Sequence, residues 1–256
     1  MLIFVGVIIT FIGFFGVSYT QREMKIETIH EAEENPTERP VNGNILTTDA
    51  GGDHYQTATF ALGWFWGPDA QFGSLNGVIR TRVGYAGGKK DAPTYKSIGD
   101  HSETIQIEYD PTLITYEDLL DIFWSVHYPY MPAISTQYAS KIFYHDAEQK
   151  RLAEESLKKE EISSGSKIFT QLVPYDNFYM AEDYHQKYYL QMNPELKSLL
   201  TSKFESFTCF VDSTAVARVN GYIGGDGTLK SVKMEIEKLG FSELQLNMID
   251  EYLAAY

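Results

Sequence analysis

The sequence predicts an α/β (α+β) protein with a mixed central sheet and flanking helices. From about His54 onward, strand-like and helix-like segments alternate, and such alternation packs helices on a sheet. In ETIQIEYD, Ile105, Ile107 and Tyr109 share one face while Gln106 and Glu108 share the other, the period of two that marks a half-buried strand. Helix-start chemistry punctuates the strands, most plainly where Thr115 precedes Asp118 at capping-box spacing.

In chain order, TATFALG reads as the first strand. Pro68 suits a first helical position and Asp69 the positive end of a helix dipole, so a helix through Phe72 and Leu75 follows. GVIRTRVGYAGG returns as a strand, and ETIQIEYD forms the next. After the capping box, Leu119, Phe123 and Val126 recur at helical spacing. KIFYH is a short strand, Asp146 opens a long helix to about Lys159, and KIFTQLV is a further strand. MAEDYHQKYYLQM and PELKSLL read as helices.

With 256 residues and 43% apolar content, the chain can fill the core of one generous domain with appendages. A formal charge of −14 leaves too few cations to neutralise phosphates, which sets nucleic acid aside as a partner. The single cysteine, Cys209, excludes a disulfide framework and any cysteine-built metal site, and its plainest reading is a small buried apolar residue. Leu2 to Val17 carries no charge, and a helix of that length spans about 24 Å, near the lower limit for a bilayer core. Residues 1–21 are therefore expected to be a membrane anchor or a signal peptide, with the membrane as a partner through this segment. Residues 22–53, acidic and rich in Pro, Gly, Asn and Thr, read as a flexible tether. The expected location is membrane-anchored or exported, with the body preferred outside the cytoplasm. Arg22 and Lys25, interleaved with Glu23 and Glu27, leave the side open.

Two features suggest chemistry. Glu103 stands at the start of an alternating strand, and the eighteen tyrosines and fifteen phenylalanines supply rings for a pocket that could hold its proton at neutral pH. From the residues alone, an exposed strand-end carboxylate is the plainer reading of Glu103. In GWFWGPDAQFG, Trp64 sits just ahead of a helix start, where N–H groups and the helix dipole favour an anionic nucleophile such as a thiolate. An indole has no accessible anion near neutral pH. Glu182 and His185 stand one turn apart, which would make half of a di-iron pair, but the partner halves are missing and a structural hydrogen-bond role is preferred. The other histidines form no metal signature, and no metal site is expected.

From about Gln56 to Lys197 the chain resembles peptide methionine sulfoxide reductases of the A type. The carrying blocks are GWFWGPDAQFG, TRVGYAGG, DHSETIQIEYDP, STQYASKIFYH and FYMAEDYHQKYY, in family order. The tail from Ser213 to Glu243 is similar to a C-terminal extension of one branch. The resemblance implies a ferredoxin-like reductase domain over 54–200 and a helical extension over 201–256. It also implies reduction of the S epimer of methionine sulfoxide, free or in peptides, as a repair of oxidative damage. No bound cofactor is implied, and thioredoxin or a similar thiol reductant would supply electrons. By resemblance, Glu103 would be the acid, Tyr95 and Tyr138 the oxygen-binding hydroxyls, and Phe65 and Trp66 the pocket for the S-methyl group. Cys209 would be the candidate resolving residue. An Asp that the family carries ahead of T-Q-Y falls on or near Ala133, and the segment from Tyr95 to Glu103 is shorter than in many relatives.

The nucleophile position holds Trp64 where the family has Cys. Three readings stand: a UGA codon for selenocysteine printed as Trp, a pseudoenzyme that binds without turnover, or a structural protein at the membrane.

Overall fold

A computed structural model describes residues 54–256. The expected anchor or signal peptide over 1–21 and the tether over 22–53 lie outside the described residues. Among the described residues no helix is long and apolar enough to cross a membrane.

The chain opens β1 (Gln56–Leu62), α1 (Trp66–Gly73), β2 (Val78–Ala86), β3 (Ser102–Tyr109), α2 (Tyr116–Ser125) and β4 (Ser140–Tyr144). It continues through α3 (Ala147–Ser164), β5 (Gln171–Pro174) and β6 (Phe178–Met180). The sheet order is β5-β4-β1-β3-β2-β6. β3 lies between β1 and β2 and is antiparallel to both, and β1 is antiparallel to β4. These four strands with α1 and α2 make the split βαβ arrangement of a ferredoxin-like core. Parallel pairing of β4 with β5 makes the sheet mixed.

The alternation in β3 sets the layers. Ile105, Ile107 and Tyr109 are fully buried in the main core with Phe60, Phe72, Leu119 and Phe123. Phe60 meets Phe123 at 5.1 Å and Phe72 at 5.8 Å between ring centroids, contacts worth about 0.5–1.5 kcal/mol each beyond area burial. Glu103 shares the parity of Ile105, so the same alternation turns its side chain toward the helix layer at the end of the strand. The Thr115–Asp118 capping box forms at the start of α2, and Asp146 caps α3 through the Gln149 N–H.

Three expectations need correction. The first helix begins at Trp66, so Pro68 lies inside its first turn, and it ends at Gly73 short of Leu75. KIFTQLV is strand only from Gln171, because the Phe169 N–H is taken by the Pro129 carbonyl. MAEDYHQKYYLQM is not one helix. It divides into the end of β6, a 3₁₀ turn at Asp183–His185, and a short α4 (Tyr188–Gln191). The Gln186 amide causes the break: it donates to the Val83 carbonyl and accepts the Val83 N–H, as a neighbouring strand would. Lys187 then adopts φ 53°.

α5 (Pro194–Thr201), α6 (Phe207–Val211), α7 (Thr214–Gly224), α8 (Leu229–Glu237) and α9 (Glu243–Leu253) complete the chain. α7 packs closely on α1, and a Cβ at Gly221 would stand 2.8 Å from the Ala70 carbonyl oxygen, which only glycine avoids. Arg218 donates to the Gly73 and Val78 carbonyls, placing a cation at the negative end of α1. Asp69 lies in the first turn of α1, as expected, and is fully buried with Lys187, whose Nζ lies 2.7 Å away. Asp69 also accepts from the Thr81 hydroxyl and the Lys187 N–H. α1 is thus fixed along its length, and its N-terminus is held at the ends of β1 and β3.

Candidate active site

Gly63 takes φ 96°, a left-handed conformation that lets the chain turn sharply out of β1 toward α1. No side chain caps α1 at Phe65. The Phe65 N–H donates instead to Glu103 Oε2 at 3.3 Å, so a carboxyl from a neighbouring strand occupies the helix's positive end. Glu103 is 2% exposed, so it is not the exposed strand-end carboxylate that the residues alone suggest. Burial pushes its pKa up to about 7, while the Gln137 amide and the Phe65 N–H pull in the opposite direction. A carboxyl in that range is divided between its acid and base forms at neutral pH.

The T-Q-Y block meets the acid from the open side. The Ser102 hydroxyl donates to the Thr136 carbonyl at 2.5 Å, tying the 3₁₀ turn Thr136–Tyr138 to β3. Gln137 Nε2 then donates to Glu103 Oε1 at 2.7 Å and to Tyr138 Oη at 3.3 Å.

Aromatic rings form the other wall. Trp66 stacks on Tyr188 at 3.8 Å with 7° between planes, and its indole N–H donates to His185 Nδ1 at 3.0 Å. The His185 ring also meets Phe65 at 5.0 Å and Tyr95 at 4.7 Å. Glu182 accepts the Tyr85 hydroxyl at 2.7 Å and the Tyr95 N–H at 3.0 Å. Burial, and then the Glu182 carboxylate, holds the Tyr85 hydroxyl far above the usual phenol range, so Tyr85 stays a donor. Glu182 and His185 therefore orient the rings and the Tyr95 backbone.

Trp64 is half-buried. Its ring lies 6.1 Å from Trp66 and 6.0 Å from Tyr138, between the proposed methyl pocket and a proposed oxygen-binding hydroxyl. The structure thus gathers Trp64, Phe65, Trp66, Tyr95, Glu103 and Tyr138 at one end of the sheet. Cys209 does not join them. It is exposed rather than packed, because the short α6 turns Phe210 and Val211 inward. Asp212, which follows that helix, pairs with Arg82 at 2.7 Å and lies 3.6 Å from Arg80, toward the end of β2 remote from Tyr85 and Glu103. The exposed Ala133 makes no side-chain hydrogen bond into the site.

The sequence did not single out Gln137, Tyr85 or the Asp69–Lys187 pair. Gln137 was present inside the T-Q-Y block, but the reach of its amide to Glu103 depends on the Ser102–Thr136 tie, which no local pattern encodes.

Residues 56–226 match the family described as peptide methionine sulfoxide reductase. The chain belongs to that family. Residues 210–254 match the helical domain of selenoprotein methionine sulfoxide reductase A. A peptide methionine sulfoxide reductase of Drosophila melanogaster is 41% identical over 231 residues, covering 89% of this chain and 90% of its own. Peptide methionine sulfoxide reductase A5 of Arabidopsis thaliana is 42% identical over 174 residues, covering 65% and 67%. Among solved structures, methionine sulfoxide reductase A of Corynebacterium diphtheriae aligns with a TM-score of 0.53 at 29% identity, covering 64% of this chain and 90% of its own. This chain therefore carries the family's fold, with Glu103 and the aromatic rings gathered beside Trp64.

Proposed function

We propose that residue 64 of the working protein is selenocysteine and that the domain reduces the S epimer of methionine sulfoxide to methionine. The observation that carries the reading is a buried carboxyl beside position 64: Glu103, poised at about 7, bonds the N–H of the residue next to it. The match of residues 210–254 to a selenoprotein's helical domain supports selenium in that place.

A selenolate at the positive end of α1 would be ionised and nucleophilic. Phe65 and Trp66 hold the S-methyl group, and the Tyr95 and Tyr138 hydroxyls hold the sulfoxide oxygen. The selenolate attacks sulfur while protonated Glu103 gives its proton to oxygen. The sulfur–oxygen bond breaks, oxygen passes to selenium as a selenenic acid, methionine leaves, and Glu103 remains as carboxylate. Two thiols of a thioredoxin-like reductant return the selenol and release one disulfide and water.

A second reading is favoured by the placement of the Trp64 indole between Trp66 and Tyr138, in space the substrate would need. With a genuine tryptophan the chain binds methionine-bearing segments without turnover. Expression of the printed sequence and of Trp64→Cys separates the activity from the cradle. The substituted chain is expected to reduce methionine-S-sulfoxide with a dithiol reductant, and no turnover by a folded Trp64→Cys chain would overturn the reductase reading.

A further inference from the structure

We propose that Gln137 is a positioning residue that sets the pH at which Glu103 releases its proton and couples that carboxyl to Tyr138. The proposal rests on the reductase reading for its purpose, but not for its test.

One amide nitrogen carries two hydrogens, and here they go to two functional oxygens, Glu103 Oε1 at 2.7 Å and Tyr138 Oη at 3.3 Å. The nitrogen, not the oxygen, faces the carboxyl, so the contact favours the charged form. It opposes burial, which favours the neutral form and is the larger effect. Because the Tyr138 oxygen accepts from Gln137, the hydroxyl's own hydrogen is turned away from the amide. Other groups around Glu103 do not substitute for this contact. From β2 comes Tyr85, committed to Glu182. From the 3₁₀ turn Asp183–His185 comes His185, committed through Nδ1 to Trp66. The loop ahead of β3 brings Tyr95, whose ring meets His185, and His101, whose nitrogens engage Gly88 and Lys90. From Phe65, just ahead of α1, comes the longer N–H contact. Among the described residues, no cation forms an ion pair with Glu103.

Gln137 is half-buried in a short turn, so Gln137→Met removes the donor with little change in volume, and Gln137→Asn keeps an amide too short to reach. The Glu103 carboxyl is titrated by carbon-13 NMR in the full chain with Trp64 in place. Loss of a charge-assisted hydrogen bond is expected to raise the midpoint by about one pH unit in both variants. In the Trp64→Cys background, the alkaline limb of single-turnover reduction of methionine-S-sulfoxide should move up by the same amount. A carboxyl midpoint that stays put or falls in variants that remain folded overturns the proposal. A raised midpoint without turnover in any Trp64→Cys chain upholds the role of Gln137 and sinks the reductase reading alone.

Discussion

Glu103→Gln is expected to abolish a pH dependence of stability that the printed chain carries whatever residue 64 is. The folded-state pKa of about 7 stands above the ordinary 4.5, so between those values the folded protein keeps a proton that the unfolded chain has released. The resulting stabilisation is fully present below pH 4.5 and is lost as the pH rises through 7. One pKa unit corresponds to about 1.4 kcal/mol, so moving from pH 5 to pH 8 should remove on the order of 2 kcal/mol through this group. Glutamine cannot titrate, so the variant escapes the loss. Urea unfolding of both chains at the two pH values measures it as a double difference. That difference cancels His127 and His145, whose pKa values burial lowers to about 4 and whose contributions run the other way. If the two chains lose stability in parallel, the carboxyl is not held as described and the proton donor of the mechanism is lost.

Further expectations follow from the packing around that acid. Lys187→Met strands Asp69 as a buried charge and should cost about 3–5 kcal/mol in urea unfolding; adding Asp69→Leu should recover most of it, and an unrecovered loss would deny the pair its role in fixing α1. In the Trp64→Cys background, His185→Phe removes the acceptor of the Trp66 indole N–H, and a buried donor left unpaired costs about 1–3 kcal/mol. Steady-state kinetics should then show a raised KM for the sulfoxide, and an unchanged KM would mean that the indole needs no such anchor. Cys209→Ser should leave thioredoxin-dependent turnover of the same chain unaltered, since α6 presents the thiol to solvent beside the Arg80–Arg82 end of β2; a clear slowing would restore it as a resolving residue.

The elements legible in the sequence were those whose signals are local. The period of two in β3 and the Thr115–Asp118 box each name their own structure, and both form. The segment around Glu182–Gln191 was misread because its determinants are distant. Gln186 answers Val83, and Lys187 answers Asp69 and Thr81, partners that a helical spacing of Tyr and Met cannot show. Asp69 was legible only in part: it lies in the first turn of α1 as its charge suggests, but its burial with a lysine from a distant segment is something no local pattern shows. At the site, the family blocks singled out Glu103 and the aromatic rings that the structure brings together. The amide linking Glu103 to Tyr138 and the imidazole holding Trp66 became visible only when strand, turn and helix start were brought together.

The most direct test is the chemical identity of residue 64. Mass spectrometry of the peptide spanning Gly63–Phe72, from protein made in its native host with selenium supplied, is expected to show the selenium isotope pattern, with sulfoxide reduction by that same protein. A peptide carrying tryptophan at position 64 would contradict a selenol nucleophile and leave the assembled pocket as a binding site.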